Sequence, residues 1–167
     1  MIKFVKREQT QKQKGIKMIK LIASDIDGTL VKDGTLMINP EYMNVINKLV
    51  DQGIIFIVCS GRQFSSERKL FAPIADKLYY ISDGGTVVRT PDKILKTYPM
   101  DEELWKKMCR MVRDTLPSCD YFVGTPDYGF AEDAGSQMFH WLRDSYGFDM
   151  RETSDVLSIQ NEDVIKF

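Results

Sequence analysis

Histidine occurs once in 167 residues, at His140. A zinc site built on histidines and a Ser-His-Asp triad would both start from one imidazole. His140 sits in the helical-looking stretch Phe139-His140-Trp141-Leu142 without the partners either site needs, so it is assigned a packing or surface role. Cysteine is nearly as scarce. Cys59, Cys109 and Cys119 are odd in number, show no C-x-x-C spacing and follow no apolar leader with a small-residue cleavage site, which points to reduced thiols in the cytoplasm. No apolar run approaches the roughly 18 residues that span a bilayer, so a membrane helix is excluded. Neither sign of charge dominates: Lys+Arg 23 against Asp+Glu 24 gives a net charge of -1, and nothing global calls for nucleic acid or an anionic membrane surface as partner. A small neutral or anionic ligand remains open.

What is present suffices for a folded domain: 43% hydrophobic residues and 11% aromatics can bury a core. Residues 1–17 stand apart as a basic N-terminal extension. The first twenty positions hold seven basic residues against the single acid Glu8, with glutamines interleaved. An upstream extension with no catalytic role is the plain interpretation, and a basic docking arm the alternative.

From Met18 onward apolar bursts alternate with amphipathic stretches. Ile19 to Ser24 reads as a buried strand ending at Asp25. Leu30-Val31 and Leu36-Met37-Ile38, around Asp33-Gly34, are expected to pair as a small hairpin. Asn39-Pro40 offers an N-cap and first-turn proline for a helix running to Gly53. Ile54 to Cys59 is apolar throughout, as in a central parallel strand covered on both faces. A helix over Ser65–Phe71, a strand over Leu78–Ser82 and a hairpin across Pro91-Asp92 complete a Rossmann-like, doubly wound α/β parallel sheet over residues 18–97. Residues 98–167 change register: a helix capped by Asp101, short strands at Tyr121–Val123 and Gly129–Ala131, a helix over Ser136–Tyr146, and a terminal strand Val164–Phe167. Trp105 and Trp141, at apolar helical positions, are assigned to core packing and not to a sugar platform.

The chemistry concentrates in Asp25-Ile26-Asp27-Gly28-Thr29. At the carboxyl end of a strand in an open α/β sheet, two carboxylates two residues apart project towards the crevice where ligands bind. Mg²⁺ relieves their repulsion, being held by one or two carboxylates together with phosphate oxygens and water. Phosphoryl transfer follows: one aspartate attacks phosphorus and the other manages the proton of the leaving oxygen. Gly28 lets the backbone approach the phosphate. An EF-hand fails on Leu30 and Leu36 at its glycine and glutamate positions. A receiver domain would carry its phosphorylated aspartate on a later strand, and a strand-ending acidic turn is the non-functional alternative.

Asp25-Ile26-Asp27-Gly28-Thr29-Leu30 after a hydrophobic strand resembles motif I of the haloacid dehalogenase superfamily, and Ile57-Val58-Cys59-Ser60-Gly61-Arg62 resembles its motif II. The resemblance implies Asp25 as nucleophile and Asp27 as general acid/base, with Mg²⁺ on the Asp25 carboxylate and the Asp27 backbone carbonyl. It implies that Ser60, with Gly61, binds the transferring phosphoryl group. Ile81-Ser82-Asp83-Gly84-Gly85-Thr86 resembles the turn after the third strand in Cof-type phosphatases, which carry an α+β C2 cap; Asp83 and Gly84 become substrate-contact candidates. Arg62 either faces the substrate mouth or is solvated or ion-paired.

The family's phosphate-binding lysine and acidic motif IV, expected after the cap, have no counterpart here, and Lys166 sits in no strand-to-helix context. The chain is therefore expected to be an N-terminal portion: an incomplete core with part of a C2 cap, impaired as a catalyst alone, and prone to self-association through an exposed core edge. The implied function is a cytoplasmic, Mg²⁺-dependent phosphatase of small phosphorylated metabolites such as sugar phosphates. A phosphotransferase or mutase on the same scaffold and a non-catalytic binding or assembly module are the alternatives.

Overall fold

The computed structural model describes residues 19–32 and 36–167. The basic extension 1–17 and the Asp33-Gly34 turn lie outside the described residues.

Three parallel strands are aligned at their carboxyl ends. β1 (Leu21–Asp25) pairs with β2 (Ile55–Cys59), and β2 with β3 (Tyr79–Ser82), in a register that sets Asp25 opposite Cys59 and Cys59 opposite Ile81. β4 (Val87–Arg89) and β5 (Ile94–Thr97) continue the sheet antiparallel, in the order β1-β2-β3-β4-β5. The crossovers carry α1 (Pro40–Asp51) and α2 (Phe64–Leu70). α1 starts where the sequence places it, with the Asn39 side chain accepting from the Glu41 amide at 2.9 Å and Pro40 in the first turn.

Both helices pack on one face of the sheet. Ile46 of α1 and Phe64 and Leu70 of α2 share a cluster with Phe56, Val58 and Tyr80. The opposite face carries Leu21, Ile55 and Tyr79, which are exposed. The expectation that β2 is covered on both faces is thereby corrected: its burial alternates, because consecutive crossovers between neighbouring strands leave both helices on the same side. The hairpin around Asp33-Gly34 is not formed by its described flanks. Val31 instead makes a bridge to Asp27, and residues 36–39 belong to no strand.

Beyond Thr97, α3 (Glu102–Thr115) is capped by Asp101, whose side chain accepts from the Leu104 amide at 2.9 Å. It buries Trp105 and Cys109 against Val123, Val156 and Val164. β6 (Val123–Gly124), β7 (Gly129–Ala131) and β8 (Met150–Glu152) form a second sheet. α4 (Gln137–His140) runs into a π-helical turn at Trp141–Ser145. Phe139 and Leu142 face inward, while Trp141, two residues from Phe139 and so on the other side of the helix, is 50% exposed. Its assignment to the core is corrected accordingly. The expected terminal strand reduces to one antiparallel bridge between Lys166 and Gly124.

Candidate active site

The site is assembled where β1, β2 and β3 end. After Asp25 the backbone closes on itself: the Ile26 carbonyl accepts from the amides of Thr29, Leu30 and Val31, and the Gly28 amide donates to the Val31 carbonyl at 2.8 Å. Gly28 holds φ +76°, a value that side chains with a Cβ rarely adopt, so glycine is required here by conformation, although a Cβ would meet no atom. The Thr29 hydroxyl donates to Asp25 at 3.2 Å.

Asp25, Ser60, Gly61 and Gly84 line one shallow cavity of about 280 Å³, together with Cys59, Ile81 and Gly85. Four of the residues singled out from the sequence are thus brought together. Asp25 is exposed to solvent; Ser60 is buried, and its hydroxyl oxygen accepts from the Arg62 amide at 3.1 Å, leaving its hydrogen to donate outward.

Asp27 and Arg62 form a pair of their own. Arg62 Nε and Nη2 donate to the two oxygens of Asp27 at 2.8 and 2.6 Å, a bidentate fork. The guanidinium is buried, lies 4.8 Å from the centre of the Tyr146 ring, and is strengthened as a base by the Asp27 bond. Arg62 is thus ion-paired to Asp27.

The turn after β3 is strained at Asp83, which has φ +52° and is followed by Gly84 at +71°. Burial pushes the Asp83 carboxyl up to about 6, against the opposing effect of Lys166. Behind it lies Glu67, fully buried and accepting from the Ser82 hydroxyl at 2.5 Å; desolvation holds it well above the usual carboxylate range, reinforced by Asp83 and opposed by Arg62 and Arg89.

Sequence reasoning missed three groups. Glu67 carried a signal, since it shares the apolar phase of Phe64 and Phe71 in an amphipathic segment. Gln63, also buried, accepts from the Asp149 amide at 2.6 Å and joins the site to the loop after the π turn, where Ser66 donates to the Tyr146 carbonyl and Lys69 to that of Gly147. Lys166, read as lacking a suitable context, places its ammonium 2.8 Å from the Gly61 carbonyl and 3.3 Å from Asp83.

Among the described residues no group of three or more His, Cys, Asp or Glu side chains converges to hold a metal ion. The Asp25 carboxylate and Asp27 carbonyl are hard oxygen donors and fit Mg²⁺ in kind, a cation that keeps water and substrate oxygens in its remaining positions. No described helix is long and apolar enough to cross a membrane.

The family model of haloacid dehalogenase-like hydrolases matches residues 22–167. A solved structure of a protein from Eubacterium rectale is 72% identical, with a TM-score of 0.76, over 87% of this chain and 55% of its own. Phosphatase YwpJ of Bacillus subtilis is 30% identical over 104 residues, 62% of this chain and 35% of that protein. The 5-amino-6-(5-phospho-D-ribitylamino)uracil phosphatase YbjI of Escherichia coli is 34% identical over 67 residues, 40% of this chain and 25% of that protein. The chain spans about half the length of the solved relative and about a third or less of these curated ones. With most of its length matched by one family model, the chain belongs to the haloacid dehalogenase-like hydrolases.

Proposed function

We propose that the protein is a Mg²⁺-dependent phosphatase of small phosphorylated metabolites, sugar phosphates among them, acting in the cytoplasm. The observation that carries the reading is the convergence of Asp25, Ser60, Gly61 and Gly84 on one cavity at the aligned ends of three parallel strands. The family membership and the phosphatase names of relatives support it. Residues 18–97 are the catalytic core and residues 98–167 belong to a cap over it.

In this scheme an Asp25 oxygen attacks phosphorus and the bond to the leaving oxygen breaks, giving an aspartyl-phosphate. Asp27 supplies the proton that the leaving oxygen takes up, then accepts one from the water that hydrolyses the intermediate. Ser60 donates its free hydroxyl hydrogen to a phosphoryl oxygen, and the Gly28 and Gly61 backbone leaves room for close approach. Mg²⁺, held by the Asp25 carboxylate and the Asp27 carbonyl, would neutralise charge on the transferring group. Asp27 must leave the Arg62 fork, at least in part, to present an oxygen to the substrate. Arg62 is thus assigned to holding Asp27 at rest, while Asp83 and Gly84 shape the leaving-group side.

The test is hydrolysis of a generic aryl phosphate with and without Mg²⁺, the chain compared with Asp25→Asn. Metal-dependent turnover lost in the variant supports the proposal, and turnover no greater than that of the variant refutes it for this chain. A second reading, a binding or assembly module, draws on the commitment of both Asp27 oxygens to Arg62. Retained binding of inorganic phosphate without turnover would favour it.

A further inference from the structure

Three successive carbonyls follow β2, those of Ser60, Gly61 and Arg62, and each accepts a hydrogen bond. Two are satisfied from the neighbouring turn: the Gly84 amide donates to the Ser60 carbonyl at 3.0 Å, and the Asp83 amide to the Arg62 carbonyl at 2.9 Å. The middle one, Gly61, accepts from Lys166 Nζ at 2.8 Å, from more than a hundred residues further along the chain. The same ammonium faces Asp83 at 3.3 Å, a carboxylate whose side chain is 4% exposed and whose Oδ2 has no hydrogen-bond partner among the described residues.

The Lys166 backbone is itself fixed. Its carbonyl accepts from the Gly124 amide at 2.9 Å, and the Ile165 amide returns a bond to Gly124 at 2.8 Å. The two backbones approach closely here: an added Cβ on Gly124 would stand 3.1 Å from the Lys166 Cβ and press on it. Val164 and Ile165 are buried just before it. The lysine stem thus leaves an anchored point on the second sheet and ends between the two turns that wall the cavity.

We propose that Lys166 is a positioning residue of the candidate active site: it completes the Ser60–Arg62 cradle from the second sheet and holds the Asp83–Gly84 turn against it. The Asp83 carboxylate, buried and facing the Lys166 ammonium, does not stay where it is when that cation is lost, and the exposed Gly61 carbonyl exchanges a fixed partner for water, so the two turns lose the bridge between them. The Ser60 hydroxyl, whose amide and carbonyl bond to residues 81 and 84, moves with them.

The experiment compares Lys166→Met, Lys166→Gln and Lys166→Arg with the parent 167-residue chain. Amide hydrogen exchange reads the cradle without any assumption about catalysis. Exchange at Ser60, Asp83 and Gly84 is expected to accelerate about tenfold in the Met and Gln variants, with α1 and α3 unchanged and with Arg restoring protection. Unchanged exchange at these amides, uniform acceleration across the fold, or failure of Arg to restore protection would each overturn the proposal. The kinetic arm rests on the phosphatase reading: aryl phosphate hydrolysis should lose about tenfold in kcat with KM changed less than threefold, the pattern of a misplaced phosphoryl-binding group. A chain with no turnover above Asp25→Asn would refute the phosphatase reading while leaving the exchange result to decide on Lys166.

Discussion

Asp83→Asn should make the protein more stable at pH 8 and leave it nearly unchanged at pH 4. The carboxyl is pushed from 3.8 to about 6 by burial, so the folded state holds a proton across a window where the unfolded chain has already released it. A carboxyl raised in this way favours folding less as pH rises through that window, and the full penalty persists above it. About two pH units at about 1.4 kcal/mol each sets this at about 3 kcal/mol at pH 8, falling to a small fraction of that by pH 4. Burial sets the sign, and Lys166, the charged group facing Asp83, opposes the shift without cancelling it. Asparagine keeps the shape and an acceptor for Lys166 while removing the titration.

Urea unfolding of the two chains at both pH values tests this. With a denaturant dependence of about 2 kcal/mol per molar, the midpoint at pH 8 should rise by about 1.5 M in the variant, against less than about 0.5 M at pH 4. Midpoints separated equally at the two pH values would refute the reasoning, because an effect of the amide that ignores pH cannot come from a carboxylate ionising in a buried site.

Trp105→Ala should cost about 3–5 kcal/mol in urea unfolding, since Trp105 is 3% exposed at the centre of the cluster under α3; a loss below about 1 kcal/mol would mean that the cluster relaxes around the gap. Arg62→Lys keeps the charge but cannot fork onto both Asp27 oxygens, and a fall in Tm of about 3–6 °C is expected from the lost buried bond. An unchanged Tm would show that one bond holds Asp27 as well as two. The sheet face carrying Leu21 and Ile55 should make the 167-residue chain self-associate, and light scattering should report less association for Leu21→Lys/Ile55→Lys; a monomer at high concentration would contradict this.

What was legible in the sequence was local. Asp25, Asp27 and Gly28 are chain neighbours, and a hydrophobic strand followed by Asp-x-Asp-Gly fixes their relative placement before any tertiary contact is known. Ser60 was singled out through the resemblance of Ile57–Arg62 to motif II, and parallel pairing sets the end of β2 level with that of β1. The helices α1 and α3 announced themselves through Asn39 and Asp101, whose caps act on amides two or three residues away. An apolar run such as Ile55–Cys59 reads the same whether one face or two are covered, which is why the bare face did not register. Trp141 was misassigned because hydrophobicity was counted without its phase relative to Phe139 and Leu142.

The groups that complete the site are separated from it by distances that no pattern spans. Arg62 reaches Asp27 across 35 positions, Gln63 reaches Asp149 across 86, and Lys166 reaches Gly61 across 105. Each joins segments far apart in the chain, and such a bond forms only when the whole fold is in place. A lysine near an apolar segment is indistinguishable in sequence from any solvated lysine until Gly124 is seen to admit its backbone and Gly61 to lack a donor of its own. The two acids at the end of the first strand and in the turn after it can therefore be read from five letters, whereas the loops that would orient a phosphoryl group beside them are built by both sheets together. Substitutions on the second sheet that move Lys166 or Asp149 should then alter the cavity at the ends of β1 to β3 without touching any residue that lines it.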